Sequence, residues 1–470
     1  MVKGKGAELS KEKAARKAVQ RLQGSSSEMQ AKPIEAVAGQ TEQKPQRKRT
    51  NNGAKRKTHP ECKVEIIEVE PDTPDFRAEL ATFIGTCEVV RYEMIPTRFI
   101  KKIYKIKKYV QDDKVFKGMA PVAPLFNSQY TASFIAGLAE LRYLHGMPLE
   151  NAVEYFRAHG FDLDKGTAQK LVSKTKVQLE NLYKALAKAI LDDNYICGDE
   201  TYQKVRLQVA TPSGKKIKKG YIWVFVGMTT GLVFFFYDDG SRSAEVFERQ
   251  IKGFKGAFQC DYYYGYRNIG IGEMTGIKRL PCLQHIKRKF LDIKDNSQAQ
   301  EIAKLFGLLY HFEHMHRIGK DGWTENTHIQ WRQRYSKVIL EKIYMRLIAA
   351  KDRTGIPPDD PLLAATNHAL KQWHEIPLIF ASPTYRLDNN EVERINRYIS
   401  LTRRRFTIGS HTGAEAAALY HSLAITCHRC GVYVFDYFCD IIDKCAAWAP
   451  NTPIEKYRDL LPDRWIHTQK

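Results

Sequence analysis

Tyr195-Ile-Cys-Gly-Asp-Glu-Thr201 opens as an apolar run and turns acidic at Asp199. The pattern predicts a buried strand over Tyr195–Val205, where acids are normally depleted, so Asp199 needs a reason. The pattern recurs at Gly256-Ala-Phe-Gln-Cys-Asp-Tyr-Tyr-Tyr-Gly-Tyr266, where Asp261 closes a second apolar run. A third acidic island, Arg386-Leu-Asp-Asn-Asn-Glu-Val-Glu-Arg394, has helix-forming content. Two carboxylates from strand ends and a third from a helix suit a paired Mg²⁺ (or Mn²⁺) site for in-line phosphodiester chemistry. Hard divalent cations take oxygen ligands, and two of them stabilise attacking and leaving oxygens together. The plainer reading of either aspartate alone is a turn or strand-end cap.

Outward from these islands, strands are expected at Tyr195–Val205, Tyr221–Thr229, Leu232–Tyr237, Ala257–Asp261 and Ile277–Leu283, with a helix at Ser243–Phe254. Three strands in hairpin succession, a helix and two further strands form the plan of a ribonuclease-H-like α/β domain, a mixed sheet. Residues 297–380 read as a helical insertion before the Glu393 helix, and Ala414–Ala447 as further apolar helix. The uncharged run Tyr221–Tyr237 is short for a membrane span and is broken by Met228-Thr-Thr-Gly231, so a hairpin is expected and no membrane.

The chain has 470 residues, 43% of them hydrophobic, and a formal charge of +21. That excess favours a polyanionic partner and says nothing of fold. Residues 1–60 hold fifteen Lys/Arg against five Glu and few aromatics, a composition expected of a disordered, phosphate-seeking tail. Lys63–Tyr109 reads as a small basic β-rich segment, suited to a phosphate backbone or simply kept soluble by its lysines. No apolar stretch resembling a secretory signal stands in the first thirty residues. The nine cysteines are scattered through apolar runs, as buried thiols of a reducing compartment are. Neither Cys427-His-Arg-Cys430 nor His311, His314 and His316 completes a zinc ligand set.

Between 129 and 190 the pattern is helical. A helix from Pro148, a turn at Gly160 and a second helix opened by Asp164 read as a helix-turn-helix, with Lys165, Gln169, Lys170 and Lys174 toward one side and available to DNA. Near the third acid, Glu391 and Glu393 lie about 200° apart on a helix and cannot both face a metal. Asp388 as N-cap with Glu391 at N3 would give Glu391 a capping job, leaving Glu393 as the ligand beside Asn389, Asn390, Asn396 and Arg397. The basic clusters His285-Ile-Lys-Arg-Lys289 and Arg403-Arg-Arg405 flank the acids and suit phosphate.

From about Cys62 to Asp436 the chain resembles the transposases of the insertion sequence 66 family. The resemblance rests on Gly198-Asp-Glu-Thr201, Asp261-x-Tyr-x-x-Tyr266, Cys282-x-x-His285-x-x-Arg-Lys-Phe290 and Leu387-Asp-Asn-Asn-x-x-Glu-Arg394, and it extends to Gly409-Ser410 and Tyr420-x-Ser-Leu423. It implies a DDE-type transposase of bacterial origin, cytoplasmic and nucleoid-associated, with Asp199, Asp261 and Glu393 binding two divalent ions. From the helix-turn-helix, the polar stripe and the basic clusters, contacts to element-end and target DNA are expected through Lys165, Lys170, Lys174, His285, Lys287, Arg288, Lys289, Asn390, Arg394, Arg397, Arg403, Arg404 and Arg405. A homo-oligomer assembled on DNA and small accessory proteins of the same element are further implications. The family's paired-CxxC zinc module is reduced here to Cys62 and Cys87, which argues against a structural zinc.

The expected organisation is a tail over 1–60, a β-rich segment over 61–120, a helical DNA-binding region over 121–190, a catalytic domain over 191–412 with its insertion, and a helical end over 413–470. The expected reaction is hydrolysis at an element end followed by attack of the freed 3′-OH on target DNA, without a Ser or Tyr nucleophile. The rival readings are a ribonuclease-H-like nuclease or resolvase that does not join strands, and a non-catalytic DNA-binding descendant of a transposase.

Overall fold

The computed structural model describes residues 97–466, apart from 106–107, 112–113, 118–120, 212, 317, 320 and 356. The basic tail, most of the β-rich segment, Cys62 and Cys87 lie outside the described residues. Within that segment, residues 97–105 carry no strand. A two-stranded antiparallel pair, β1 (Lys108–Gln111) and β2 (Lys114–Lys117), takes the place of the expected longer run.

Helices α1 (Ala132–Ala139), α2 (Leu149–Ala158), α3 (Lys165–Gln178) and α4 (Glu180–Ile190) follow. The turn between α2 and α3 contains Gly160 at φ +87°, a conformation that costs a side chain dearly. Asp164 then caps α3 by accepting from the Thr167 amide at 2.8 Å, as its place before the helix predicts.

A five-stranded sheet comes next: β3 (Tyr195–Arg206), β4 (Ile217–Gly227), β5 (Val233–Tyr237), β6 (Gly256–Cys260) and β7 (Ile277–Pro281), with α5 (Ala244–Ile251) between β5 and β6. The strands lie in the order β5-β4-β3-β6-β7. β3, β4 and β5 pair antiparallel, while β6 and β7 run parallel to β3. The uncharged run therefore lies in two paired strands, β4 and β5, as the expected hairpin requires. No helix among the described residues is long and apolar enough to cross a membrane.

Side chains alternate across the sheet, as a period of two requires. Ile196, Trp223, Phe225 and Phe258 pack on one face with α5 and the N-terminal helices. Tyr195, Cys197, Ile222, Val224 and Val226 pack on the other, beneath α6 (Leu283–Leu291), the insertion and α12 (Asn390–Arg405). Gly198 is forced by this packing, because a Cβ there would stand 2.2 Å from Cζ of Phe258. Edge strand β5 is covered by α13 (His411–Cys430). The hydroxyls of Ser422 and Thr426 accept from the Phe235 and Val233 amides at 2.8 and 3.0 Å, so the open edge is satisfied rather than left as a pairing template.

Residues 297–380 are helical, as expected: α7 (Ser297–Met315), α8 (Glu325–Trp331), α9 (Lys337–Lys351), α10 (Pro361–Lys371) and α11 (Ile376–Ile379). Their hub is Arg332, 1% exposed. It donates to both oxygens of Glu313 at 2.9 and 2.8 Å and to the carbonyls of Ile379, Ser382 and Tyr385. His316, one of the three clustered histidines weighed as metal ligands and set aside, is packed between Trp323 and Trp331. Burial pushes the Glu313 carboxyl up, but His328 and Arg332 prevail and hold it down at about 2. A carboxyl depressed in the folded state stabilises above its unfolded value of 4.5, and that contribution is lost as pH falls toward 2. Glu313→Gln should therefore cost about 3 kcal/mol at neutral pH, since it strands a buried guanidinium. In urea unfolding the difference from the unsubstituted chain should shrink as pH falls below about 4.5. A difference that stays constant down to pH 2 would rule this out.

Candidate active site

The central pair is set by strand register. β3 and β6 pair as Tyr195↔Ala257, Ile196↔Phe258 and Cys197↔Gln259. Continued for two residues, the same offset puts Asp199 opposite Asp261, on the face that carries Tyr195, Cys197 and Gln259. Asp261 stands just past the end of β6, as expected. Asp199 does not close its strand. It lies inside a twelve-residue β3 that stays paired with β4 through Asp199↔Val224, beyond the point where β6 has ended. Burial first, then the carboxylates of Glu200 and Asp261, push the Asp199 carboxyl well above the ordinary range.

Each aspartate is held by its surroundings. Asp199 Oδ1 accepts from the Glu200 amide at 2.9 Å, and Oδ2 from Nδ2 of Asn396 at 2.8 Å. Asp261 Oδ1 accepts from the Tyr263 amide at 3.0 Å. The tyrosines of the following loop clamp it: Tyr266 donates to Glu200 Oε2 and Tyr263 to the Arg242 carbonyl, both at 2.7 Å. Glu200 points to the opposite face of the sheet, where Arg242 binds it through Nε at 2.9 Å. Burial raises the Glu200 carboxyl against the pull of Tyr266 and Arg242.

Helix α12 brings the third acid. Its approach is moored to the sheet: Gln259 Nε2 donates to the Arg386 carbonyl at 2.8 Å, the Arg386 amide donates to Tyr195 Oη at 3.1 Å, and the Leu283 amide donates to the Leu387 carbonyl at 2.9 Å. Asn396, bonded to Asp199, lies one turn beyond Glu393, so both share a stripe toward the sheet. Glu393 Oε1 is buried without a hydrogen-bond partner, and His285 Nε2 stands 3.7 Å from it. Among the described residues no set of three His, Cys, Asp or Glu side chains is close enough to hold a metal as it stands.

Glu391 points elsewhere, as the helix geometry predicts, but its job is not the expected one. Asn389, not Asp388, is the N-cap residue and makes no side-chain cap bond, while Asp388 Oδ1 accepts from the Asn390 amide. Glu391 is instead gripped by Arg386 and Arg394, each at 3.1 Å, and by Arg429. Burial raises its carboxyl, and these arginines, Arg429 foremost, bring it below the ordinary value. Arg386 and Arg394 lie within five residues of Glu391, but Arg429 lies 38 residues away and left no local signal.

The basic candidates divide. Lys165, Gln169, Lys170 and Lys174 are exposed on α3, Lys165 in an ion pair with Glu150. On α6, Arg288 and Lys289 are exposed, and the Lys287 ammonium lies 5.2 Å over the Tyr310 ring. On α12, Arg397 and Arg404 are exposed, and Asn390 is half-buried. Arg394 is occupied by Glu391, Arg403 by Thr201 and the Tyr202 carbonyl, and Arg405 by the carbonyls of His145 and Gly146. Cys282 is buried at the start of α6 with its thiol pushed up to about 12 by burial, so of the Cys-x-x-His pair only His285 reaches the acids.

Comparison with known proteins agrees with this architecture. The chain is 25% identical over 369 residues to "Uncharacterized protein y4jD" of Sinorhizobium fredii (strain NBRC 101917 / NGR234), covering 75% of this chain and 70% of that one. It is 23% identical over 406 residues to "Uncharacterized protein y4qI" of the same strain, covering 82% and 73%. The family model described as "Transposase IS66 family" matches residues 127–416, a span that includes α3, the whole sheet, all three acids and the insertion. The chain belongs to the IS66 family of transposases.

Proposed function

We propose that this chain cuts DNA at the ends of an insertion element and joins the freed 3′ ends to target DNA, with Asp199, Asp261 and Glu393 as its catalytic carboxylates. The register that sets Asp199 beside Asp261 carries the reading, because nothing in folding requires two acids at adjacent, half-buried positions of a sheet. The strand order, with three antiparallel strands followed by two parallel ones, supports a ribonuclease-H-like assignment for 191–412, with 297–380 inserted. On this reading 121–190 is a DNA-binding helical region, and the chain works as an oligomer on DNA with accessory proteins of its element.

A divalent cation fits the residues present. Asp199 shares its face of the sheet with the carboxylate of Asp261, a repulsion that a cation relieves, and Glu393 keeps an orphaned buried oxygen. Asp199, Asp261 and Glu393 would hold Mg²⁺ or Mn²⁺, two per site, supplying Lewis-acid stabilisation of charge on the reacting phosphate. Asn396 orients the Asp199 carboxylate, and His285 faces Glu393. Arg288, Lys289, Arg397 and Arg404 bind phosphates about the site, and Lys165, Lys170 and Lys174 bind flanking DNA.

Asp199→Asn should lower Mg²⁺-dependent nicking of a plasmid carrying the element ends by on the order of 10²–10³-fold, the effect of losing one transition-state stabiliser. DNA affinity should persist, and the same assay with a target plasmid reports joining. Nicking without joining would favour the nuclease reading, and an undiminished Asp199→Asn would remove the carboxylate assignment.

Glu393→Gln and Glu391→Gln should separate cleanly. The first should abolish nicking with an unchanged melting curve. The second should cost about 2 kcal/mol of stability, chiefly by unpairing the mostly buried Arg429, yet leave nicking measurable below its melting temperature. The reverse pattern would mean that Glu391 is the ligand.

Removal of divalent ions with EDTA should stop nicking by the unsubstituted chain, and added Mg²⁺ or Mn²⁺ should restore it. Full activity in EDTA would exclude the metal assignment.

A further inference from the structure

We infer that Tyr262 and the helical insertion together form a seat for an unpaired nucleotide beside Asp261, with the ring stacking on a base and Lys289 and Lys371 holding the flanking phosphates. The inference rests on the DNA-cleaving reading and specifies the state of the DNA at that site.

Tyr262 directly follows Asp261, and it remains 38% exposed where its neighbour Tyr266 is fully buried. It is nevertheless held in place. The Arg279 guanidinium lies 4.9 Å from its ring centre and is itself fixed to Glu375 at 2.7 Å, in a pair almost closed to solvent. The His368 ring meets Tyr262 edge-on, at 5.4 Å and 80°. His368 is fixed in turn by the buried Gln372, whose Nε2 donates to His368 Nε2 at 3.0 Å. An aromatic ring braced by a guanidinium over one face and an imidazole at its edge, yet still 38% exposed, suits base stacking, since little freedom is lost on binding.

The charges around it suit a phosphate backbone. Burial first, then Lys289, His285 and Lys371, lower the His368 titration to about 4, which places three basic groups about that ring. Lys289 and Lys371 are exposed, and His285 continues the strip to Glu393. The strip thus begins beside one proposed catalytic carboxylate and ends at another. In a duplex, base faces are covered by their neighbours, so a ring of this kind engages only a strand that has been splayed or frayed. The residues that brace Tyr262 from outside the sheet, His368, Gln372 and Glu375, all belong to the insertion, which gives that segment a role in substrate binding.

The test uses the full chain in EDTA, with fluorescence anisotropy on a blunt duplex and on the same duplex carrying a short unpaired 3′ tail. Tyr262→Ala should weaken binding of the tailed duplex about tenfold and leave the blunt duplex unchanged, the size expected for one lost base stack. Tyr262→Phe should bind both as the unsubstituted chain does. Lys289→Gln and Lys371→Gln should weaken both probes and each lower the salt slope by about one. The inference is overturned if Tyr262→Ala binds the tailed duplex normally, if it loses both probes equally, or if Tyr262→Phe behaves like Tyr262→Ala. An unsubstituted chain that binds neither probe would instead remove the DNA-cleaving reading itself.

Discussion

Two like charges side by side on the buried face of a sheet are the constraint around which this molecule is arranged. Asp199 and Asp261 meet because β3 and β6 run parallel in a register that brings them opposite one another. Burial and mutual repulsion act in the same direction on Asp199, and the chain supplies only partial relief, one amide and one Asn396 donor. A protein selected for stability alone would place apolar side chains there. The residual repulsion is local, and it supports the reading of the pair as ligands of a cation.

Much of the surrounding structure keeps that pair in place. Gly198 lets the Phe258 ring cross β3 just before Asp199, and the clamp of Tyr263 and Tyr266 holds the loop leaving Asp261. Gln259, between the two strands, ties the approach to α12 against the sheet, while Glu391 locks the start of that helix to Arg386, Arg394 and Arg429. Arg332 does the same for the end of the insertion by gathering the carbonyls of residues 379, 382 and 385. Each mooring is a buried polar group satisfied by a distant segment, so each contributes specificity of arrangement as much as stability.

The sheet was legible because its signals are local. Apolar runs of strand length, the hairpin turn at Met228–Gly231 and the helix between β5 and β6 each follow from a few adjacent residues, and the observed strands begin and end within a few residues of expectation. The Asp164 cap was legible for the same reason. The expected Asp388 cap with Glu391 did not form: Asn389 is the N-cap residue, and Glu391 is held by its neighbours Arg386 and Arg394 and by the distant Arg429. Three of the basic side chains expected at phosphates also bond within the protein, Arg394 to a carboxylate, Arg403 to a hydroxyl and a carbonyl, and Arg405 to carbonyls. Nothing in a run of arginines distinguishes these uses.

By itself, the sequence determined that Asp199 and Asp261 flank apolar strands, that Glu391 and Glu393 face apart on a helix, and that a helical segment separates the sheet from that helix. Those are consequences of backbone periodicity, which each segment carries in its own residues. Only the tertiary structure decided that Asn396 binds Asp199, that His285 faces Glu393, and that Tyr262 is braced by the insertion. Those facts depend on register and on contacts across 197, 108 or 106 positions of chain, and no local pattern of residues encodes them.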